Sequence, residues 1–257
     1  MSNDISLAIS DYVASVEIRR PPNNFFDFDL IREIADTYQR LDDEPDCRAI
    51  VLCSQGKHFC AGADFQSRES WGQEQLDNQA RRLYVEAVRV FSSRKPVVAA
   101  VHGAAIGGGL GLALSTDFRV TCQEARFSAN FARLGFHQGF GLSVTLPRLI
   151  GHANASLLLF TGRRVKGDEA VAMGLADELT PQADVRDRAQ ALAREIAGSA
   201  PLAVQSIRAT LRANLAEEIA RITEHELAEQ NRLRSSGDFR EGIAAMAERR
   251  TPEFKGH

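Results

Sequence analysis

Two glycine-containing segments of the chain could bring backbone N–H groups to a ligand. The first, residues 61–64, reads AGAD, and the second, residues 107–109, is a triple glycine. Glycine has no side chain, so a ligand can approach the backbone closely and unusual dihedral angles are accessible. N–H groups held in this way stabilise an oxygen atom on which negative charge develops. Both segments are therefore candidates for an oxyanion-binding site.

The triple glycine lies between a strand-like run and a helix-like run. Residues 97–101 are apolar and typical of a buried strand, and residues 110–114 are compatible with a helix. The first N–H groups of a helix have no partner within the helix, and they lie at the positive end of its dipole. A developing negative charge placed there would meet free donors.

Other kinds of site fit the sequence less well. The dinucleotide-binding pattern G-x-G-x-x-G fails because Leu112 stands at the third glycine position, and no ribose-binding acid follows. The nucleophile elbow G-x-S-x-G fails because Thr145 stands where the last glycine is required after Ser143. Cys60 lies two residues from His58, but its apolar neighbours favour a packed structural cysteine over a nucleophile.

Hydrophobic periodicity predicts the elements that would position these segments. Residues 5–18 alternate with a period of two around a polar turn, which predicts an antiparallel hairpin. Apolar residues at helical spacing predict a helix over residues 30–41, with Asp27 or Asp29 as its cap. Short apolar runs predict strands that are covered on both faces, as parallel crossover units require. These runs are residues 49–53, 97–101 and 118–122.

The last third of the chain predicts helix rather than sheet. From about Pro201 to Ser235 the spacing predicts a long helix, and Pro201 suits a helix start. Its apolar stripe packs either on its own domain or against another subunit. The stripe contains Leu211, Leu215, Ile219 and Ile222. We predict a core domain over residues 1–195 and a helical region over residues 196–257.

Composition restricts the class of partner. A net charge of −3 over 257 residues provides no basic surface for nucleic acid. The four cysteines form no CxxC pair, and we expect no metal site. Residues 96–116 carry no charge and are long enough to cross a bilayer, but their glycines favour a strand–turn–helix. Residues 1–5 do not resemble a secretory signal, so we expect a cytoplasmic protein that does not enter the membrane.

Several segments together resemble the crotonase (enoyl-CoA hydratase/isomerase) superfamily. Besides the two glycine segments, the resemblance includes LPRLIG at residues 146–151, FTG at residues 160–162 and AVAMGLAD at residues 170–177, and it ends at residues 238–254. They follow the family's order over nearly the whole chain. The resemblance implies an α/β crotonase-like fold built from ββα units, with a helical C-terminal trimerisation region.

The resemblance also implies a binding site for an acyl-CoA thioester. In the family, one backbone N–H from each glycine segment binds the thioester oxygen and stabilises the enolate, and here these belong to Ala63 and Gly108. CoA is part of the substrate, and no separate cofactor is expected. The remaining substrate-binding positions implied in this way are Asn23, Asn24, Ala61, Asp64, Phe65, Gly107, Phe131, Phe254 and Lys255. The last two are expected to reach a neighbour's CoA site in a homotrimer or hexamer.

The sequence departs from the family at the residues that transfer protons. Hydratases of the family use two glutamates, and Gly111 and Phe131 stand at these positions here. Neither residue transfers a proton, and such a group typically contributes a factor of about 10² to 10⁴ in rate. We predict His137 as the replacement acid–base residue, because it lies on the loop that the resemblance brings to the acyl pocket, and histidine is the residue type suited to proton transfer near neutral pH. Packing among Phe136 and Phe140 is the alternative role for His137.

Three functional classes follow from the sequence. The first is a lyase or isomerase that carries out isomerisation, decarboxylation, C–C cleavage or atypical hydration of an acyl-CoA. The second is an acyl-CoA-binding family member with little or no activity. The third is a binding or assembly protein that shares only the fold. Binding of an acyl-CoA separates the third class from the others, and turnover separates the first two.

Overall fold

The computed structural model describes residues 4–64 and 72–257. The strands of this part form two sheets, and helices cover the larger sheet. In chain order the strands are β1 (Ile5–Ser10), β2 (Val13–Ile18), β3 (Ala49–Ser54), β4 (Val97–Val101), β5 (Ala104–Ile106), β6 (Phe118–Thr121), β7 (Arg126–Ser128), β8 (Val165–Lys166) and β9 (Glu178–Leu179). The helices are α1 (Phe28–Asp43), α2 (Gln73–Phe91), α3 (Gly108–Leu114), α4 (Leu142–Thr161), α5 (Gly167–Ala172), α6 (Val185–Ala197), α7 (Pro201–Leu211), α8 (Leu215–Arg234) and α9 (Gly237–Glu248).

The larger sheet begins with the hairpin that the alternating pattern predicted. β1 and β2 pair antiparallel, with Ile5 opposite Ile18. From β2 onwards the order is β2-β3-β4-β6-β9, and each neighbouring pair is parallel. β3 and β4 are buried along their whole length, as predicted for strands covered on both faces. The smaller sheet has the order β5-β7-β8.

The predicted first helix is confirmed as α1. Asp27 is its cap, since the Asp27 carboxylate accepts a hydrogen bond of 2.9 Å from the Leu30 N–H. The apolar residues that predicted this helix are all buried, from Leu30 to Leu41. α6 packs against β3, β4 and β6, and the predicted boundary between residues 195 and 196 falls in its last turn.

The single long helix predicted from Pro201 to Ser235 is wrong. Two helices, α7 and α8, occupy this range, and Asn214 between them has a positive φ of 63°, which cannot continue a right-handed helix. Leu215 and Ile219 of the apolar stripe are buried within the chain itself, whereas Leu211 is 79% exposed. The stripe therefore faces two different environments.

Ion pairs fix α7 to the larger sheet. Asp117 accepts hydrogen bonds from Arg208 Nε at 2.9 Å and from Arg212 at 3.1 Å. The same carboxylate accepts the Val97 N–H of β4 at 2.8 Å. Asp117 thus has a structural role. Within residues 4–64 and 72–257, every helix is too short or too polar to span a bilayer.

Candidate active site

A cavity of about 380 Å³ lies between the sheets and the helices α2, α8 and α9. Both glycine segments line it, as do residues of the segment 130–140. Of the predicted site residues, the structure brings seven together here. These are Asn23, Ala61, Ala63, Asp64, Gly107, Gly108 and Phe131.

The first glycine segment is held by backbone hydrogen bonds on both sides. Cys60 donates to the Ala104 carbonyl and Ala61 donates to the Asn23 carbonyl, each at 2.9 Å. Gly62 then has a φ of 95°, a backbone conformation that favours glycine. This turn leads to Ala63, whose N–H donates to no acceptor among the described residues.

The smaller sheet positions the second glycine segment, residues 107–109. Gly107 donates to the Ser128 carbonyl at 2.8 Å and has a φ of 56°. Gly108 begins α3, and no hydrogen bond from its N–H is found in the described part of the chain. A Cβ on Gly108 would lie 2.3 Å from Cζ of Phe26, so this position has room for glycine alone. The backbone of Phe26 also forms a parallel bridge with Ala63, so Phe26 lies next to both glycine segments.

The side chain of Asn24, a predicted site residue, does not line the cavity. Asn24 is fully buried, and its Nδ2 donates to the carbonyls of Gln55 at 2.8 Å and His58 at 2.6 Å. Its Oδ1 accepts the Arg20 N–H at 3.0 Å. The Asn24 side chain therefore holds the loop rather than facing a ligand. Phe65 lies outside the described residues.

The C-terminal residues Phe254 and Lys255 lie outside this cavity. The backbone N–H of Lys255 donates to Asp238 at the start of α9, at 2.7 Å. The Gly256 N–H donates to the other oxygen of the same carboxylate at 2.9 Å. Their contact with a neighbouring subunit's site stays a prediction.

His137 also lies outside the residues that line the cavity. Its Nδ1 is 2.8 Å from the Gln138 carbonyl, and its ring packs edge-on against His225 of α8 at 5.8 Å. Its own carbonyl accepts Gln230 Nε2 at 3.0 Å. The ring thus packs against His225, a contact that the sequence did not predict, and the acid–base role of His137 stays a prediction.

Aromatic rings lie at or beside residues 111 and 131, the two positions at which the family resemblance implies glutamates in hydratases. A Cβ on Gly111 would lie 2.7 Å from Cβ of Phe140 and 2.9 Å from its ring. Phe140 is 1% exposed and has a φ of 60°. Phe131 packs against Phe136 with ring centroids 5.6 Å apart. This part of the cavity is therefore apolar.

The side-chain pair Tyr84–Gln230 lines the cavity without having been predicted. The Tyr84 hydroxyl donates to Gln230 Oε1 at 3.0 Å, joining α2 to α8. Burial raises the pKa of Tyr84, so it stays protonated at neutral pH. Asn130 and the cations Arg234 and Arg249 also line the cavity and were also missed. None of them belongs to a recognisable motif.

A buried carboxylate anchors the loop behind the aromatic wall. Glu226 of α8 accepts the Gly141 N–H at 2.9 Å, the Ser143 N–H at 3.0 Å and the Ser143 hydroxyl at 2.6 Å. Burial raises the pKa of Glu226, although the hydrogen bonds from Ser143 and Gly141 act in the opposite direction.

The stability contribution of Glu226 should depend on pH. Its folded-state pKa lies above the ordinary value of 4.5, so between the two values the folded protein binds more protons than the unfolded chain. This contribution is fully present below the unfolded pKa and is lost as the pH rises through the folded pKa. Relative to Glu226→Gln, the wild type should lose stability as the pH rises from about 4.5. Thermal melts across this range measure the stability of the wild type relative to Glu226→Gln. A relative stability of the wild type that increases with pH would contradict the raised pKa of Glu226.

The thiol of Cys60 has the properties of a structural cysteine. It is fully buried, and burial raises its pKa to about 12, so it stays protonated at neutral pH. Burial, together with the charges of Lys57 and His102, lowers the pKa of His58. No cluster of three His, Cys, Asp or Glu side chains suited to a metal ion occurs among residues 4–64 and 72–257.

Comparison with solved structures identifies the fold as that of the crotonases. The crystal structure of an enoyl-CoA hydratase/isomerase from Pseudoalteromonas atlantica T6c matches with a TM-score of 0.87 and 27% identity, over 98% of this chain and 100% of that chain. The sequence model of the enoyl-CoA hydratase/isomerase family matches residues 8–257, so the chain belongs to this family within the crotonase superfamily.

Two curated relatives match along their full length. A probable enoyl-CoA hydratase from Bacillus subtilis (strain 168) is 33% identical over 256 residues, covering 99% of each chain. A carnitinyl-CoA dehydratase from Proteus mirabilis (strain HI4320) is 32% identical over 261 residues, covering 100% of each. The family thus comprises enzymes that act on acyl-CoA thioesters.

Proposed function

We propose that this protein binds an acyl-CoA thioester and stabilises its enolate between the N–H groups of Ala63 and Gly108. The observation that carries this proposal is that both N–H groups border one cavity and donate to no acceptor among the described residues. A thioester oxygen placed between them would accept two hydrogen bonds. When the α-proton leaves, the electron pair on C2 delocalises onto this oxygen, and the donors are already in place. Removing one such donor typically costs about 2.7–4 kcal/mol of transition-state stabilisation.

The favoured reactions are isomerisation, C–C cleavage or atypical hydration. Standard hydration needs the two glutamates, and Gly111 and Phe131 replace them. Proton transfer then falls to another group. Asp64 is the one carboxylate that lines the cavity within the described residues, directly after Ala63. We propose Asp64 as the base that removes the α-proton. CoA enters as part of the substrate, and no further cofactor is part of this proposal.

Exchange of the α-proton tests this function independently of the final product. Butanoyl-CoA incubated with the protein in D₂O should gain deuterium at C2, measured by mass spectrometry. Asp64→Asn should slow the exchange by a factor of about 10² to 10⁴ while binding by calorimetry is retained. Asp29→Asn, on the exposed side of α1, is the matched control and should exchange at the wild-type rate.

The second candidate function is binding of acyl-CoA without turnover. The rings of Phe131 and Phe140 at both proton-transfer positions favour it. Binding without deuterium exchange, and without turnover of a panel of thioesters, would establish this alternative. Failure to bind any acyl-CoA would contradict both candidates.

We propose that the protein assembles as a homotrimer or hexamer. Helix α7 exposes large apolar side chains, with Leu202 81%, Ile207 60% and Leu211 79% exposed. Phe160 at the end of α4 is 79% exposed as well. Large apolar side chains exposed to this extent favour burial against another subunit.

Light scattering at micromolar concentration should therefore give three or six times the monomer mass. Leu211→Glu should shift the population towards smaller species, because a charge would be buried at the interface. Leu7→Glu, at an exposed apolar position of β1, is the control and should keep the wild-type mass. A wild-type monomer would contradict this prediction.

A further inference from the structure

Asn130 occupies a fixed position beside the proposed oxyanion donors. It follows β7, which pairs with β5 so that Ser128 lies opposite Ile106. The Oδ1 atom of Asn130 lies 3.3 Å from the point that a Cβ on Gly107 would occupy. The amide therefore lies over the residue that precedes Gly108. The Cα atoms of neighbouring residues such as Gly107 and Gly108 are about 3.8 Å apart. A group bound at Asn130 would therefore lie only a few bond lengths from an oxygen bound at Gly108.

The backbone of Asn130 packs closely against Gly162 as well. A Cβ on Gly162 would lie 3.2 Å from Cα of Asn130. Nearby, the Ser128 hydroxyl donates to the Gly162 carbonyl at 3.0 Å. A side chain that starts from such a confined backbone is well placed to discriminate between ligands.

The carboxamide of Asn130 has no hydrogen-bond partner among the described residues, although the residue is partly buried. Cζ of Phe131 lies near the same point, 3.7 Å from the position of a Cβ on Gly107. A ligand in the cavity can therefore pair with the amide, and a hydrogen bond of this kind contributes about 0.5–1.5 kcal/mol. An amide both donates and accepts hydrogen bonds, which matches a hydroxyl group.

We propose that Asn130 is a specificity-determining residue that binds a hydroxyl group on C3 of the acyl chain. This inference rests on the proposed function, because the thioester oxygen must lie at Gly108 for C3 to reach Asn130. An amide does not exchange protons at neutral pH, so Asn130 selects the substrate rather than acting as an acid or base. The protein accordingly prefers 3-hydroxyacyl-CoA thioesters to unsubstituted ones of equal length.

Calorimetry with 3-hydroxybutanoyl-CoA and butanoyl-CoA tests this preference. The wild type should bind the hydroxylated thioester about tenfold more tightly, as one hydrogen bond in a shielded site provides. Asn130→Ala should reduce the preference to about twofold or less while leaving the affinity for butanoyl-CoA within about threefold.

Asn154→Ala is the matched control, since Asn154 lies outside the cavity lining and its amide donates to the Ile150 carbonyl within α4, and it should keep the wild-type preference. Equal binding of the two thioesters by the wild type would overturn this inference alone, as would a preference retained in Asn130→Ala. Failure of both thioesters to bind would overturn the proposed function, and this inference with it.

Discussion

Glu226→Ala should lower the free energy of unfolding by about 3 kcal/mol and weaken acyl-CoA binding. Three donors, two backbone N–H groups and the Ser143 hydroxyl, lose their acceptor. Each buried donor left unpaired costs about 1–3 kcal/mol, and relief from burying a charge offsets part of the total. Because the same loop continues into the aromatic wall at Phe140, the cavity should lose its shape together with the loop. Urea denaturation and calorimetry with butanoyl-CoA measure the two effects.

Glu229→Ala provides the control on the same helix. Glu229 pairs with Arg232 three residues later at the surface, and its replacement should leave the unfolding transition unchanged. If Glu226→Ala lowered the free energy of unfolding by less than about 1 kcal/mol, water would be replacing the carboxylate as acceptor at little cost. The anchoring role of Glu226 would then be wrong.

Local patterns were sufficient to predict the elements of this fold. Alternation and helical spacing depend on neighbouring residues, so the hairpin, α1 and the buried strands β3 and β4 are all present as predicted. The break at Asn214 was missed, because the apolar spacing continues across it and a positive φ in asparagine leaves no periodic signal.

The glycine segments of the site were also predictable, since close backbone approach requires glycine and the two segments lie at recognisable spacings. The side chains that complete the cavity were not. Tyr84 and Gln230 are separated by 146 residues and meet only because α2 packs on α8. Neighbouring residues can also differ in role, as Asn23 lines the cavity while Asn24 points into the loop. Sequence spacing alone does not distinguish them.

Because Phe140 lies close to Gly111, we expect that glutamates at residues 111 and 131 alone do not produce hydratase activity. A side chain at residue 111 would meet Phe140 Cβ at 2.7 Å, and such overpacking typically costs about 1–3 kcal/mol. The carboxylate would also enter an apolar pocket without a partner. We therefore expect Gly111→Glu combined with Phe131→Glu to show no gain in hydration while Phe140 is present.

Adding Phe140→Gly to these two substitutions should raise crotonyl-CoA hydration at least about a hundredfold over the wild type. The third change removes both the Cβ and the ring of Phe140 from the space beside residue 111, and glycine suits the φ of 60° at this position. Each correctly placed acid or base contributes a factor of about 10² to 10⁴. Loss of the enoyl-thioester absorbance measures the rate, and circular dichroism confirms that each variant is folded. Phe140→Gly alone is the control and should show no hydratase activity, because it supplies space without a proton carrier. If the double variant that keeps Phe140 gained as much activity as the triple variant, the ring would not be the obstacle. A folded triple variant without hydration would mean that residues 111 and 131 do not face the acyl chain.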